Sequence, residues 1–150
     1  MKTIFDKSTR DELIRRIDTL TKDNSAQWGK MNVYQMLKHC RLWDEWIAGK
    51  KKNKQVFAGR LFGKMALKNV LKDEKPLGRN TPTIPELRLN RLGENGDVES
   101  EKAKWIATIE GYAHFSNPDF VHTFFGKMTR EQIGYMAYKH ADHHLRQFNS

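Results

Sequence analysis

Thr129-Arg130-Glu131-Gln132-Ile133-Gly134-Tyr135-Met136-Ala137-Tyr138-Lys139-His140-Ala141-Asp142-His143-His144-Leu145-Arg146-Gln147-Phe148 is the stretch whose reading decides the fold. Thr129 with Gln132 three residues later is a capping box, in which side chain and backbone satisfy each other's orphan groups at a helix start. Beyond it Ile133, Met136, Ala137, His140, His144 and Phe148 fall on one face at about 100° per residue. The spacing therefore predicts one long amphipathic helix over 129–148, with His140 and His144 near the middle of its apolar stripe.

Side chains four apart on a helix lie one turn apart on the same face, so both imidazoles can turn a nitrogen toward a single ion. An isolated histidine on an apolar face is ordinarily a core residue donating to a backbone carbonyl. Two stacked in a buried stripe leave more polar nitrogens in need of partners, and a shared metal satisfies both. The candidate for a third ligand is His39, beside the core stripe of another helix, whereas His114 and His122 fall at a helix end and in a loop. His143 competes for that place, but three ligands so close on one helix strain tetrahedral geometry, and it fits better as a pocket residue beside the site.

Working outward, a second capping box of Asn32 and Gln35 opens a helix that carries Val33, Met36, Leu37, Cys40, Trp43 and Ile47 at core spacing and ends at Gly49. Asp44 falls on its inward side, where a carboxylate either orients a ligating imidazole or pairs with a lysine or arginine. Cys40 sits in the core stripe, where a cysteine acts as a small hydrophobe. A first helix is predicted over about 9–21, capped by Ser8 and Asp11 or by Thr9 and Glu12, with Leu13, Ile17 and Leu20 inward. A third, over about 53–71, is weakened by Gly59 and Gly63. A fourth, over about 98–113, turns Trp105, Ile109 and Tyr112 one way. Between the third and fourth, residues 73–96 hold Pro76, Gly78, Pro82, Pro85, Gly93 and Gly96 without period, a covering segment packed on the surface.

The chain has 150 residues, one domain's worth, with 38% hydrophobic residues, four Trp and eight Phe, which excludes a disordered chain. Cys40 is the only cysteine, so no internal disulfide forms, and the amino terminus lacks the apolar core of a signal peptide. No apolar run is long enough to span a membrane, and a cytoplasmic protein is expected. A formal net charge of +9 attracts anions of many kinds. His-Glu-x-x-His, a Glu-x-x-His pair for two irons and a Gly-rich phosphate loop are all missing, which removes the corresponding enzyme classes.

The run His140-Ala141-Asp142-His143-His144-Leu145-Arg146-Gln147 resembles the His-x-x-His-His-x-x-Gln signature that closes proteins of the DinB-like superfamily of metalloenzymes, and Met36-Leu37-Lys38-His39-Cys40 resembles its first ligand helix. Trp28-Gly29-Lys30-Met31 and Phe124-Phe125-Gly126-Lys127-Met128-Thr129 resemble an uncharacterised, domain-of-unknown-function branch of it, although His122-Thr123 stands where related sequences tend to read His-Pro. The resemblance covers about residues 28–148. It implies an all-α four-helix bundle with a long crossover and an additional short helical segment, and a divalent transition metal (Zn, Ni or Fe) held by His39, His140 and His144.

Three neutral imidazoles leave a coordination position open, as catalytic sites do, and suit hydrolysis or thiol chemistry. Characterised DinB-like enzymes that depend on low-molecular-weight thiols make a thiol-dependent transferase the first expectation and a hydrolase the second; the sequence assigns no residue a catalytic role. The expected partners are a small-molecule substrate, with a low-molecular-weight thiol as candidate, and a second copy of the chain in a homodimer. A non-enzymatic module for nucleic acid or another polyanion, with a structural metal, is the alternative. It rests on Arg60, Lys64, Lys68 and Lys72, which recur every four residues after Lys50, Lys51, Lys52 and Lys54. With Phe62, Met65, Ala66 and Val70 around another side, the row suits nucleic acid or an acidic membrane surface, and it is also what a solvated helix face looks like.

Overall fold

The last helix forms where its cap and period require. Thr129 Oγ1 accepts from the Gln132 N–H at 3.2 Å, the Gln132 side chain accepts from the Thr129 N–H at 3.0 Å, and helix follows over Arg130–Gln147. The computed structural model describes residues 1–150 apart from 51–53, 82, 84–86, 89–91 and 94 and the side chain of Lys50. Lys51, Lys52, Pro82 and Pro85, named above, and the predicted start of the third helix at residue 53 lie outside the described residues. In chain order the helices are α1 (Lys7–Asp18), α2 (Val33–Glu45), α3 (Phe57–Val70), α4 (Val98–Gly111) and α5 (Arg130–Gln147). β1 (Val121–His122) and β2 (Gly126–Lys127) pair antiparallel between α4 and α5.

The chain is mostly helical, as the sequence periods predict. α2 packs on α4 and α5, α1 packs on the same two helices, and α3 packs against β2. The shared interior takes Leu13 and Ile17 from α1, Met36, Leu37 and Cys40 from α2, Trp105 and Ile109 from α4, and Ile133, Ala137 and Leu145 from α5, all buried. No helix of the described residues is long and apolar enough to cross a membrane.

Local chemistry fixes the ends. At α2 the Asn32–Gln35 box closes in both directions, at 3.0 and 2.9 Å. The Asn117 amide reaches the Ile47 carbonyl at 2.7 Å where the chain leaves α2 through a wide turn, Trp46–Lys50. α1 corrects its predicted cap: it begins two residues early, after Asp6, with no side-chain cap. Thr9 is buried inside the helix, and the Arg10 guanidinium instead holds the Ile4 and Phe5 carbonyls. At its other end the buried Lys102 ammonium of α4 donates to the Asp18 and Leu20 carbonyls, at 3.1 and 2.9 Å, where a cation suits a helix C-terminus.

α3 forms despite its glycines because of them. A Cβ on Gly59 or Gly63 would lie 2.3 or 2.1 Å from the Phe124 carbonyl oxygen, so helix backbone rests directly on the turn between β1 and β2. Each strand has only two residues, too short to show an alternating pattern in sequence.

Candidate metal centre

α2 carries His39 and α5 carries His140 and His144, all buried where these helices meet. One ligand nitrogen from each lies within 4.8 Å of the other two, and Nε2 of His39 is 3.2 Å from Nε2 of His140. Three nitrogens around one tetrahedral zinc stand about 3.3 Å apart, from bonds of roughly 2.0–2.1 Å. The His39–His140 pair already matches that separation.

Hydrogen bonds at the far side of the rings aim them. His39 Nδ1 faces the Leu87 carbonyl at 3.1 Å, and since a carbonyl only accepts, Nδ1 carries the proton and Nε2 keeps its lone pair. His144 Nδ1 faces Gln147 Oε1 at 2.9 Å, while Gln147 Nε2 donates to the Trp28 carbonyl at 2.7 Å. The amide is thus oriented with its oxygen toward His144, whose Nδ1 carries the proton and whose Nε2 is free. His140 is positioned by the face of Trp43, stacked at 4.1 Å and 14°. Metal-bound histidines are oriented in this way by acceptors on the opposite nitrogen.

Burial also sets the charge. His39 is pushed down to about 4, chiefly by desolvation, against the opposing effect of the Leu87 bond. Burial, reinforced by neighbouring imidazoles, holds His140 and His144 well below the usual histidine range. All three are neutral near pH 7, the form that ligates. The donor set, its spacing and its tautomers fit a divalent transition ion.

The other candidates fall elsewhere. His143, on the adjoining edge of α5, packs against Trp28 at 5.4 Å and lines a groove with Trp28, Leu77, Arg79 and Tyr138. His114 is exposed at the end of a short turn after α4. His122, expected in a loop, is buried in β1 and accepts the Phe124 and Phe125 N–H groups on Nδ1, both at 3.1 Å; burial pushes it down to about 4. Asp44 takes neither expected role: it accepts from the Trp105 indole and the Tyr112 hydroxyl, both at 2.8 Å, and burial raises it to about 7. It joins α2 to α4. Cys40 is buried with its thiol raised well above the ordinary range by desolvation, a core residue and not a nucleophile.

Sequence reasoning missed the supporting groups. The covering segment supplies the Leu87 carbonyl to His39, and its Leu92 and Gly93 carbonyls take Lys38 and Gln35, so it is tied along α2. A backbone oxygen leaves no sequence signal. Gln147 did leave one, lying three residues after His144 on the same face. The Trp28-Gly29 pair gains a physical reason as well: Gly29 has φ of 81°, and a Cβ there would meet Gln147 Nε2 at 2.8 Å. Only glycine admits both that backbone and the approach of the amide.

Fold and centre together define a mostly helical protein with a buried three-histidine cluster that could hold a metal ion. Within that class, the chain belongs to the DUF1569 family of proteins of unknown function, whose family model matches residues 4–150. Neither a curated protein nor a solved structure matches it.

Proposed function

We propose that this chain is a DinB-like metalloprotein in which His39, His140 and His144 hold one divalent transition ion, Zn, Ni or Fe, for chemistry on a small molecule. The observation that carries the proposal is the convergence of three buried imidazoles, with a nitrogen of each within 4.8 Å of the others, two of them donating Nδ1–H to an oxygen acceptor so that Nε2 keeps its lone pair. The DinB-like reading extends to the fold: α1, α2, α4 and α5 as a four-helix bundle, residues 73–96 within its long crossover and α3 as the additional segment, all in one domain over residues 1–150.

Bound there, a divalent ion supplies the Lewis acidity that ionises a water or a thiol at its free position near neutral pH. The residues do the rest. Leu87 and Gln147 keep two ligands in the metal-binding tautomer, Trp43 fixes the plane of the third, and burial keeps all three neutral. Three neutral ligands would leave the ion's charge uncompensated, which favours an anionic fourth ligand, a hydroxide for hydrolysis or a thiolate for group transfer. The order of the two, thiol-dependent transfer first, rests on the DinB-like resemblance. The buried indole N–H of Trp46, with no acceptor among the described residues, lies against His122 at 5.0 Å and near Trp43 at 6.4 Å.

The test is elemental analysis of protein purified without an affinity tag. About one ion per chain is expected, lost in His140→Ala and in His144→Ala. If neither the wild type nor the metal-supplemented protein binds near one ion per chain, the proposal fails.

The polyanion module is favoured by the exposure of Arg60, Lys64, Lys68 and Lys72 along α3 and just beyond it. It would show as binding that weakens steeply with salt. Large apolar side chains share that face, and a phosphate backbone leaves them uncovered.

A further inference from the structure

α3 is amphipathic in an inverted sense. Its buried face is Gly59, Gly63 and Leu67, and the two glycines bring its backbone against the Phe124 carbonyl. Large side chains therefore cannot turn inward there. Phe57 is 75% exposed, Leu61 62%, Met65 61%, Phe62 54% and the preceding Val56 50%. Apart from Met1, these are the exposed large hydrophobic residues of the described chain, gathered within ten residues.

At 100° per residue Phe57, Leu61 and Met65 form one strip along the outer face, and Arg60, Lys64 and Lys68 form a second strip beside it. All three cations are exposed, as are Lys54 and Lys72 at the two ends, and no acidic residue occurs from Lys54 to Lys72. A contiguous apolar patch rimmed by charge marks an interaction surface. Its occupant must supply an apolar phase and negative charge together. A second copy brings an identical cationic row on a chain of net charge +9. Nucleic acid brings charge without an apolar phase. An anionic bilayer surface brings both.

We propose that α3 is a peripheral docking helix for an anionic lipid surface, lying in the interface plane with Phe57, Leu61 and Met65 in the acyl boundary and Arg60 and Lys68 at the headgroups, while the Lys64 ammonium between them donates to the Lys127 carbonyl. The helix spans about 21 Å at 1.5 Å per residue, enough to lie along a membrane. The inference stands apart from the metal centre, since none of these side chains belongs to it.

Flotation of the full chain with vesicles tests it. The protein is expected to float with phosphatidylserine-containing vesicles at low salt and not with pure phosphatidylcholine vesicles. Leu61→Ser and Met65→Ser are each expected to lower the partition coefficient about ten-fold. Arg60→Gln with Lys68→Gln is expected to lower it about 25-fold, from about five-fold per cation near an anionic surface. Because all four side chains are exposed, circular dichroism and melting should not change, so the variants report on docking and not on folding. Failure to float with the anionic vesicles overturns the proposal. So does flotation indifferent to Leu61→Ser and Met65→Ser, which is adsorption by charge alone. A solution dimer that Leu61→Ser dissociates assigns the face to a second copy, and tighter binding to duplex DNA than to the vesicles assigns it to nucleic acid; either result overturns it too.

Discussion

Acidifying the chelator-treated protein from pH 7.5 to pH 5 should destabilise it, and the size of the effect follows from where its imidazoles sit. A histidine held down in the fold contributes stability that is present above its unfolded pKa, near 6.5, and lost as the pH falls toward its folded value. His39 and His122 each lie at about 4, so each loses about 2 kcal/mol by pH 5. His140 and His144 are shifted the same way and add to the loss. Asp44 works in opposition: raised to about 7, it favours the fold as it protonates and restores about 2 to 3 kcal/mol over the same interval. The histidines outnumber it, and against a domain stability of about 5–15 kcal/mol the net loss is large. Urea unfolding followed by circular dichroism at the two pH values, with chelator throughout, measures it. His39→Leu should remove about 2 kcal/mol of the pH sensitivity. A midpoint at pH 5 equal to or above that at pH 7.5, or a His39→Leu variant as acid-sensitive as the wild type, would refute the reasoning.

Gln147→Leu should lower metal affinity about 10- to 100-fold in a competitive chelator titration while all three ligands stay in place, because His144 loses the acceptor that fixes its tautomer; unchanged affinity would remove Gln147 from the centre. Gly63→Ala should destabilise by about 1–3 kcal/mol and speed amide exchange along α3, since its Cβ would fall 2.1 Å from the Phe124 oxygen. An unconstrained helical glycine gains about 1 kcal/mol from the same change, so the sign of the shift alone decides whether the backbones are in contact.

What the sequence made legible was local. Both capping boxes, at Asn32 and Thr129, close as the residue types require, because a box is satisfied within four residues whatever surrounds it. The i, i+4 pair His140 and His144 needed only a helix, and His39 needed only its place beside an apolar stripe. The misread features depend on contacts across the chain. Thr9 and Ser8 look like caps, but the first turn is held by Arg10 reaching back to Ile4 and Phe5. His122 reads as a loop residue because two-residue strands have no period, and its burial depends on Trp46 and Phe125 packing on its ring. Asp44 offers a carboxylate whose partners, Trp105 and Tyr112, lie more than sixty residues away. Gly59 and Gly63 read as weaknesses of α3, yet they are the face that the Phe124 backbone takes, which leaves its large apolar residues outside.

The same distinction explains why a metal is easier to read from this chain than a reaction. Ligands must be near one another, and here two share a helix; their convergence with His39 needs only the packing of α2 on α5. The surroundings of the cluster are assembled from elements with no common local pattern: the segment that carries Leu87, the turn at Trp28 that receives Gln147, and the β1 strand that buries His122 beside Trp46. Two of these, the Leu87 and Trp28 carbonyls, act through backbone oxygens that any residue would provide. Gln147 joins His144 to the Trp28 turn, and the Trp28 ring packs on His143 at the edge of its groove. The groove and the three-histidine cluster thus meet at one residue, Trp28, whose ring packs on His143 while its backbone carbonyl accepts from the Gln147 amide that faces His144.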